Sequence, residues 1–217
     1  EFYARPSLPP GLLSEHPCRV AGGRDGSRGG TWMGVTETGF FVGLTNQRAM
    51  APVAAGLRSR GEVVLEALRM GDRARVRAYL FALPAHEFAP YNLLYGDAEG
   101  LDVAYARPDG VRAESLDPGV WVLANDVLGS PEFPKTRRAE GLVGGAVNEP
   151  WESLVGTLRG ALGDRDLAAA DALPARPEGA LLPEWLRREL QALCVRTPLY
   201  GTVSASIVAV SAGAVER

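Results

Sequence analysis

The turn signals between residues 91 and 125 limit the fold of this chain more than any other feature of its sequence. Four short apolar runs lie in this stretch: Asn92–Tyr95, Leu101–Ala106, Val111–Leu116 and Val120–Ala124. Connectors rich in Asp, Pro and Gly separate them at residues 97–100, 108–110 and 117–119. Strands whose turn signals follow one another this closely form antiparallel pairs. The segment therefore predicts an antiparallel meander.

Other strand and loop signals flank this meander. Trp32–Thr36 and Phe40–Thr45 predict a hairpin with Gly39 in its turn. Residues 7–28 are rich in Pro, Gly and Ser and predict an extended loop. Near the end, the sequence predicts a strand from Thr202 to about Ser211 and the start of another at Val215–Arg217.

Helical patterns occupy the remaining segments. Ser59 and Glu62 have capping-box spacing, and the apolar residues after them recur at helical intervals. A second helix is predicted from Asp72 to about Leu83, and residues 135–193 turn helical with breaks near Pro150 and between Pro174 and Pro183. Helices grouped between antiparallel strands predict the α+β class, with residues 1–217 as a single domain.

Composition narrows the classes of function. The net charge of −3 argues against a nucleic-acid-binding surface, and no apolar run is long enough to span a membrane. Cys18 and Cys194 form neither a disulfide framework nor a metal pair, which favours free thiols in the cytoplasm. Of the 23 basic residues only Lys135 is lysine, a bias typical of a GC-rich, and here we expect bacterial, genome.

Most motif tests predict no cofactor. The glycines between Gly22 and Gly30 precede a strand instead of a helix, so they favour a flexible or ligand-covering loop over a phosphate cradle. Two histidines in the whole chain exclude a His-rich metal site, and we predict no metal. His16 and Cys18 have ligand chemistry for haem, but the intervening Pro17 favours a surface loop.

Two asparagines each follow an apolar run. Asn46 ends Phe41–Asn46, and Asn125 ends Val120–Asn125. A short amide at a strand end can donate a hydrogen bond to a developing oxyanion, and it can equally cap a turn through its own backbone. The residues alone leave both interpretations open.

Six blocks of the chain resemble one family in the order of its motifs. They are Glu1-Phe2-Tyr3-Ala4-Arg5-Pro6, Gly29-Gly30-Thr31-Trp32-Met33-Gly34, Leu44-Thr45-Asn46, Tyr91-Asn92-Leu93, Ala124-Asn125 with Phe133-Pro134-Lys135, and Cys194-Val195-Arg196 with Tyr200-Gly201-Thr202. The first block is similar to the tail of Asn-Arg-Asp-Glu-Phe-Tyr-x-Arg-Pro. That signature names the Asn-Arg-Asp-Glu (NRDE) family, also called the transport and Golgi organisation protein 2 family.

The resemblance implies an Ntn-hydrolase-like αββα sandwich, with two antiparallel sheets between helical layers. Family members typically carry a Cys after the initiator Met, so we expect the nucleophile and at least one strand to lie upstream of Glu1. The resemblance implies a catalytic role for Asn46 and Asn125. It implies substrate binding by Glu1, Arg5, Trp32, Tyr200 and Thr202. Val203 departs from the family, which usually has Arg at this position.

Two functions of different classes follow from the resemblance. The first is an N-terminal-nucleophile hydrolase that cleaves small amide-containing molecules. The second is a non-catalytic protein that binds or carries haem or a hydrophobic lipid. An amidase needs no cofactor, whereas the carrier would take haem as a ligand. Loss of the cation at Val203 favours the carrier slightly.

Overall fold

The computed structural model describes residues 1–48, 54–175 and 182–211. Its strands are β1 Ser7–Ser14, β2 Val20–Asp25, β3 Met33–Thr36, β4 Phe41–Asn46, β5 Tyr91–Asp97, β6 Gly100–Arg107 and β7 Gly110–Leu116. Its α-helices are α1 Arg60–Met70, α2 Arg73–Ala82, α3 Pro134–Val143, α4 Trp151–Leu162 and α5 Glu184–Glu189. The α+β class predicted from the sequence is confirmed.

Contacts between residues divide the chain into two units. Among the described residues, the helical unit comprises 1–5, 119–175 and 182–208. The sheet unit comprises 6–48, 54–118 and 209–211. A single domain over residues 1–217 stays a prediction.

All seven strands belong to one antiparallel sheet in the order β1 to β7, so each strand pairs with its neighbour in the chain. Three of the four predicted strands of the meander pair in register, with Tyr95 opposite Asp102 and Ala104 opposite Ala113. The predicted hairpin of β3 and β4 is also present. Its turn contains Gly39 with φ of 85°, a conformation that glycine adopts without steric cost.

Helices α1 and α2 supply the apolar layer that covers this sheet. Val63, Val64, Ala67 and Leu68 of α1 are fully buried, and so are Val76 and Leu80 of α2. They form one core cluster with Tyr91, Leu93 and Tyr95 of β5. Full burial of each Val or Leu side chain contributes about 1.5–3 kcal/mol. The helical spacing recognised in the sequence is therefore the face that packs on the sheet.

The two helices begin differently. Asp72 precedes α2 and its carboxylate accepts a hydrogen bond from the Arg75 backbone N–H at 2.7 Å. Ser59 precedes α1 without a side-chain capping hydrogen bond. Glu62 instead forms an ion pair with Arg58 at 2.6 Å. The capping box predicted at Ser59 and Glu62 is therefore not formed, because Arg58 takes the carboxylate.

The prediction of an extended loop over residues 7–28 is wrong. Strands β1 and β2 form here and pair antiparallel, with register irregularities between Leu8 and Gly11 and between Leu12 and Ser14. Pro9 and Pro10 are compatible with β1 because it is an edge strand, where a missing backbone donor can face away from the ladder. Proline content therefore marks an edge here instead of a loop.

Two other predicted strands are also wrong. Val120–Ala124 and residues 203–210 have no strand assignment, and Ser211 makes only a single bridge. Each has strand-like composition, but an extended segment becomes a strand only when another strand pairs with its backbone. The predicted strand start at Val215–Arg217 lies outside the described residues.

Short helices dominate the helical unit, as the sequence predicts. Pro150 and Pro183 immediately precede α4 and α5, so the breaks read from the sequence are helix starts. Arg138 of α3 binds the Asp164 carboxylate through Nε at 2.7 Å, and the Asp164 carbonyl accepts from Cys194 N–H at 2.8 Å. Among the helices of the described residues, none is long and apolar enough to cross a bilayer.

Candidate functional site

The first and last family-like blocks lie side by side in the helical unit. The Glu1 backbone nitrogen donates to Gly201 O at 2.9 Å, and Gly201 N–H donates to Glu1 O at 2.9 Å. Phe2 and Tyr200 are partners in an antiparallel bridge. We call Glu1, Phe2, Arg5, Tyr200 and Thr202 the terminal cluster. It brings together four of the side chains predicted to bind substrate.

Side chains of the terminal cluster contact one another. The Phe2 and Tyr200 rings pack edge to face, with centroids 5.3 Å apart. Arg5 Nε lies 3.5 Å from Glu1 Oε1. Burial, and secondarily the Glu1 carboxylate, raises the pKa of the Tyr200 hydroxyl above its ordinary value. Tyr200 is therefore a neutral hydrogen-bonding group at physiological pH, not a phenolate.

Close packing at Gly201 fixes the backbone of the terminal cluster. A Cβ at this position would collide with the Tyr3 hydroxyl and would lie 2.7 Å from Val195 O. The hydroxyl of the next residue, Thr202, accepts a hydrogen bond from Val195 N–H at 3.0 Å. Val203, where the family usually has Arg, is 53% exposed. Only glycine fits between Tyr3 and Val195, which explains the middle residue of the Tyr-Gly-Thr block.

Asn125 forms a second polar group in the helical unit. Lys135 Nζ donates to Asn125 Oδ1 at 2.5 Å and to Leu190 O at 3.4 Å. An ammonium group only donates hydrogen bonds, so the amide atom that faces it is the oxygen. The Nδ2 donor therefore points to the opposite side of the Asn125 amide. We call Lys135 and Asn125 the amine–amide pair.

Lys135 ends one of the family-like blocks but was not among the predicted site residues, and its environment is strongly perturbed. It is the second residue of α3 and is partly buried, with Nζ 5.6 Å from the centre of the Phe133 ring. Burial lowers the pKa of Lys135 to about 8. One signal was available in the sequence: a single lysine in a chain whose other basic residues are all arginine.

The remaining candidate residues belong to the sheet unit. Asn46 is the last residue of β4, as predicted, and is exposed beside its strand partner Tyr91. Trp32 is partly buried, and its carbonyl accepts from Leu44 N–H at 2.8 Å. Asn125, by contrast, does not end a strand, because Val120–Ala124 forms none. The proposed roles of all these residues stay predictions.

Little in the described residues suits a metal. They contain no group of three or more His, Cys, Asp or Glu side chains arranged to hold a metal ion. Cys18 donates to Leu68 O at 3.7 Å, and burial raises the pKa of its thiol, so the thiolate that would ligate haem iron is disfavoured.

Comparison with known proteins gives concordant matches. The family model of Transport and Golgi organisation 2 matches residues 1–215. The Transport and Golgi organization protein 2 homolog of Homo sapiens is 27% identical over 226 residues, covering 98% of this chain and 79% of the relative. The homolog of Bos taurus is 29% identical over 224 residues, with the same coverage.

One solved structure bears on the fold. A Caenorhabditis elegans N-acylethanolamine-hydrolyzing acid amidase ortholog superposes with a TM-score of 0.53 at 12% identity. The superposition covers 70% of this chain and 72% of that one. The predicted Ntn-hydrolase-like fold is therefore confirmed. In the described residues all strands belong to one sheet, so the second sheet of the expected αββα sandwich stays a prediction. With a family model that matches almost every residue, the chain belongs to the Transport and Golgi organisation 2 family.

Proposed function

We propose that the protein is an N-terminal-nucleophile amide hydrolase of small, partly apolar molecules. The observation that carries this proposal is the orientation of Asn125. Its Oδ1 accepts from Lys135, so Nδ2 is the amide's donor end. A fixed donor is what stabilises the oxyanion of a tetrahedral intermediate. The likeness of the fold to that of an acid amidase supports the same reaction class.

The proposed mechanism assigns the nucleophile to a Cys upstream of Glu1 in the complete protein. Its thiolate attacks the amide carbonyl carbon, and the α-amine of the same residue accepts the thiol proton. Asn125 Nδ2 donates to the developing oxyanion. The terminal cluster supplies the Tyr200 ring and the Glu1–Arg5 ion pair as substrate contacts. The tetrahedral intermediate collapses to a thioester as the C–N bond breaks, and the leaving amine takes the proton that the α-amine accepted. Water then hydrolyses the thioester, which releases the acid and restores the thiol. The thiols of Cys18 and Cys194 are unpaired, which suits the cytoplasmic setting that we propose.

The test is hydrolysis of fluorogenic acyl-aminocoumarin amides of graded acyl length by the complete protein. We expect Asn125→Ala to lower kcat by roughly a hundredfold with a smaller change in KM, since an oxyanion donor acts mainly in the transition state. Asn148→Ala is the matched control, because Asn148 is an exposed amide in the same unit. Equal inactivity of the complete protein and its upstream Cys→Ala variant would contradict the proposal.

A carrier of haem or another hydrophobic molecule is the second candidate, and exposed tryptophans favour it. Trp121, Trp151 and Trp185 are 50%, 49% and 54% exposed, and all three belong to the helical unit. Large exposed aromatic rings supply apolar surface against which a hydrophobic ligand can pack. Haem titration should then shift the Soret band and quench tryptophan fluorescence. An unchanged Soret band together with no lipid in the purified protein would exclude this alternative.

A further inference from the structure

The amine of Lys135 has an unusual set of neighbours for a lysine. Its hydrogen-bond acceptors are the neutral oxygens Asn125 Oδ1 and Leu190 O, and its third contact is the Phe133 ring. Within residues 1–48, 54–175 and 182–211, no carboxylate forms an ion pair with it. Desolvation without a compensating negative charge favours the uncharged amine.

The position of Lys135 along α3 acts in the same direction. As the second residue of this ten-residue helix, it lies at the positive end of the helix dipole. The charged side chains that follow it on α3 are Arg137, Arg138 and Glu140, and Arg138 is paired with Asp164 and Asp166. None of these side chains forms an ion pair with Lys135, so burial and the helix dipole both favour the neutral amine.

The consequence is that a much larger fraction of the Lys135 amine than of an ordinary lysine amine is neutral and therefore nucleophilic. With the pKa of Lys135 at about 8, roughly a quarter of the amine is neutral at pH 7.5. For an ordinary lysine with a pKa of about 10.4, only about 0.1% is neutral at that pH. Lowered basicity reduces the reactivity of each neutral amine, but by less than the roughly two-hundredfold gain in its population.

We propose that Lys135 is a carbonyl-capturing residue that forms a Schiff base with small apolar aldehydes. The nitrogen lone pair attacks the aldehyde carbon, and a proton moves from nitrogen to oxygen to give a carbinolamine. A proton from the solvent then protonates the carbinolamine hydroxyl, which leaves as water, and the C=N bond forms with the remaining N–H as the iminium. Its single N–H can donate to Asn125 Oδ1, which replaces the shortest hydrogen bond of the free amine.

The buried surroundings define the class of aldehyde. The buried Phe133 ring beside Nζ suits an alkyl chain, and the partial burial of Lys135 admits a small molecule more readily than a bulky one. The longer Leu190 contact is the weaker of the two hydrogen bonds and is given up when the nitrogen becomes an iminium. Carbonyl capture is separate from the proposed amide hydrolysis and needs no upstream Cys.

The test uses the complete native protein, hexanal and sodium cyanoborohydride at pH 7.5, with peptide mapping by mass spectrometry. Reductive trapping converts the imine into a stable secondary amine at the residue that formed it. Nα-acetyl-lysine amide in the same tube is the reference amine. We expect Lys135 to label at least about tenfold faster than the reference and to lose this advantage in urea, where its surroundings are gone. Labelling no faster than the reference in the native protein would overturn the proposal.

Asn125→Asp is the matched variant, because it keeps the size of the side chain and adds a carboxylate beside the amine. The new ion pair should hold the ammonium form and slow the labelling of Lys135 by about tenfold. Circular dichroism confirms the fold of the variant. Labelling as fast as in the wild type by a folded Asn125→Asp protein would also contradict the proposal. If that variant fails to fold, the comparison of native and urea-unfolded wild type decides.

Discussion

At the scale of single residues, the surroundings of a few positions decide properties that the residue type alone does not. The amine of Lys135 is surrounded by neutral oxygens and an aromatic ring, which the residue type alone does not indicate. Gly30 is one of 26 glycines, yet its position permits no other side chain. Neither property follows from the residue name, because both depend on atoms that are distant in sequence.

Lys135 makes the stability of the protein depend on pH. Its folded pKa of about 8 is below the unfolded value, so the unfolded state binds more protons between these values and stability rises with pH there. Wild type should gain up to about 2 kcal/mol relative to Lys135→Met between pH 7 and pH 9.5. Urea unfolding at both pH values measures the difference. A stability difference that is constant with pH would show that the amine is not desolvated.

Gly30→Ala should destabilise the sheet unit. The added Cβ would lie 2.5 Å from the carbonyl carbon of Gly61, which is backbone at the start of α1 and cannot move aside as a side chain can. We expect a loss of about 3 kcal/mol or more, measured by chemical denaturation. Gly141→Ala is the control: it lies in α3 with nothing within 4 Å of the new Cβ and should gain about 0.5–1 kcal/mol. Similar effects of both substitutions would contradict the packing argument.

At the scale of elements, periodicity in the sequence identified most helices and strands but not the way in which they end. The pattern from Val63 to Leu68 is a buried helical face, and the first three runs of the meander are paired strands. Capping could not be predicted, because Arg58 competes for the Glu62 carboxylate. Residues 7–14 were misjudged because proline disfavours a central strand much more than an edge strand.

The starts of α1 and α2 provide a matched pair of substitutions. Asp72→Ala should lower the free energy of unfolding by about 1 kcal/mol, because it removes the hydrogen bond to Arg75 N–H. Ser59→Ala should change it by only a few tenths of a kcal/mol, since Ser59 makes no side-chain capping hydrogen bond. Thermal or urea unfolding of both variants measures this contrast. An equal loss of stability at the two positions would mean that the hydrogen bond from Arg75 N–H to Asp72 does not stabilise the start of α2.

At the scale of the whole molecule, stability is concentrated where strands pair on both sides. β5 hydrogen-bonds to β4 and β6, and its Tyr91, Leu93 and Tyr95 side chains belong to the core cluster. Residues 203–210 are largely exposed and belong to no strand of the described part of the chain. Their apolar composition resembles that of a strand, but composition does not provide a partner.

Hydrogen exchange should reveal this difference directly. Amides of β5 and β6 should exchange on the order of a thousandfold more slowly than those of residues 202–211, since the former open only when the core opens. Mass spectrometry of peptides from the native chain measures both regions in one experiment. Protection of residues 202–211 equal to that of β5 would show that this segment pairs as a strand.

The sequence by itself determined the α+β class, the meander, the faces of α1 and α2 and the family, because short-range periodicity and motif order are properties of the chain alone. Only the tertiary structure decided that β1 is a strand, that Val120–Ala124 is not, and that the Glu1 and Tyr200 blocks lie together. It also revealed Lys135 beside Asn125. These features depend on contacts with backbone or polar atoms that are distant in sequence. The spacing of residue types along the chain does not specify such contacts.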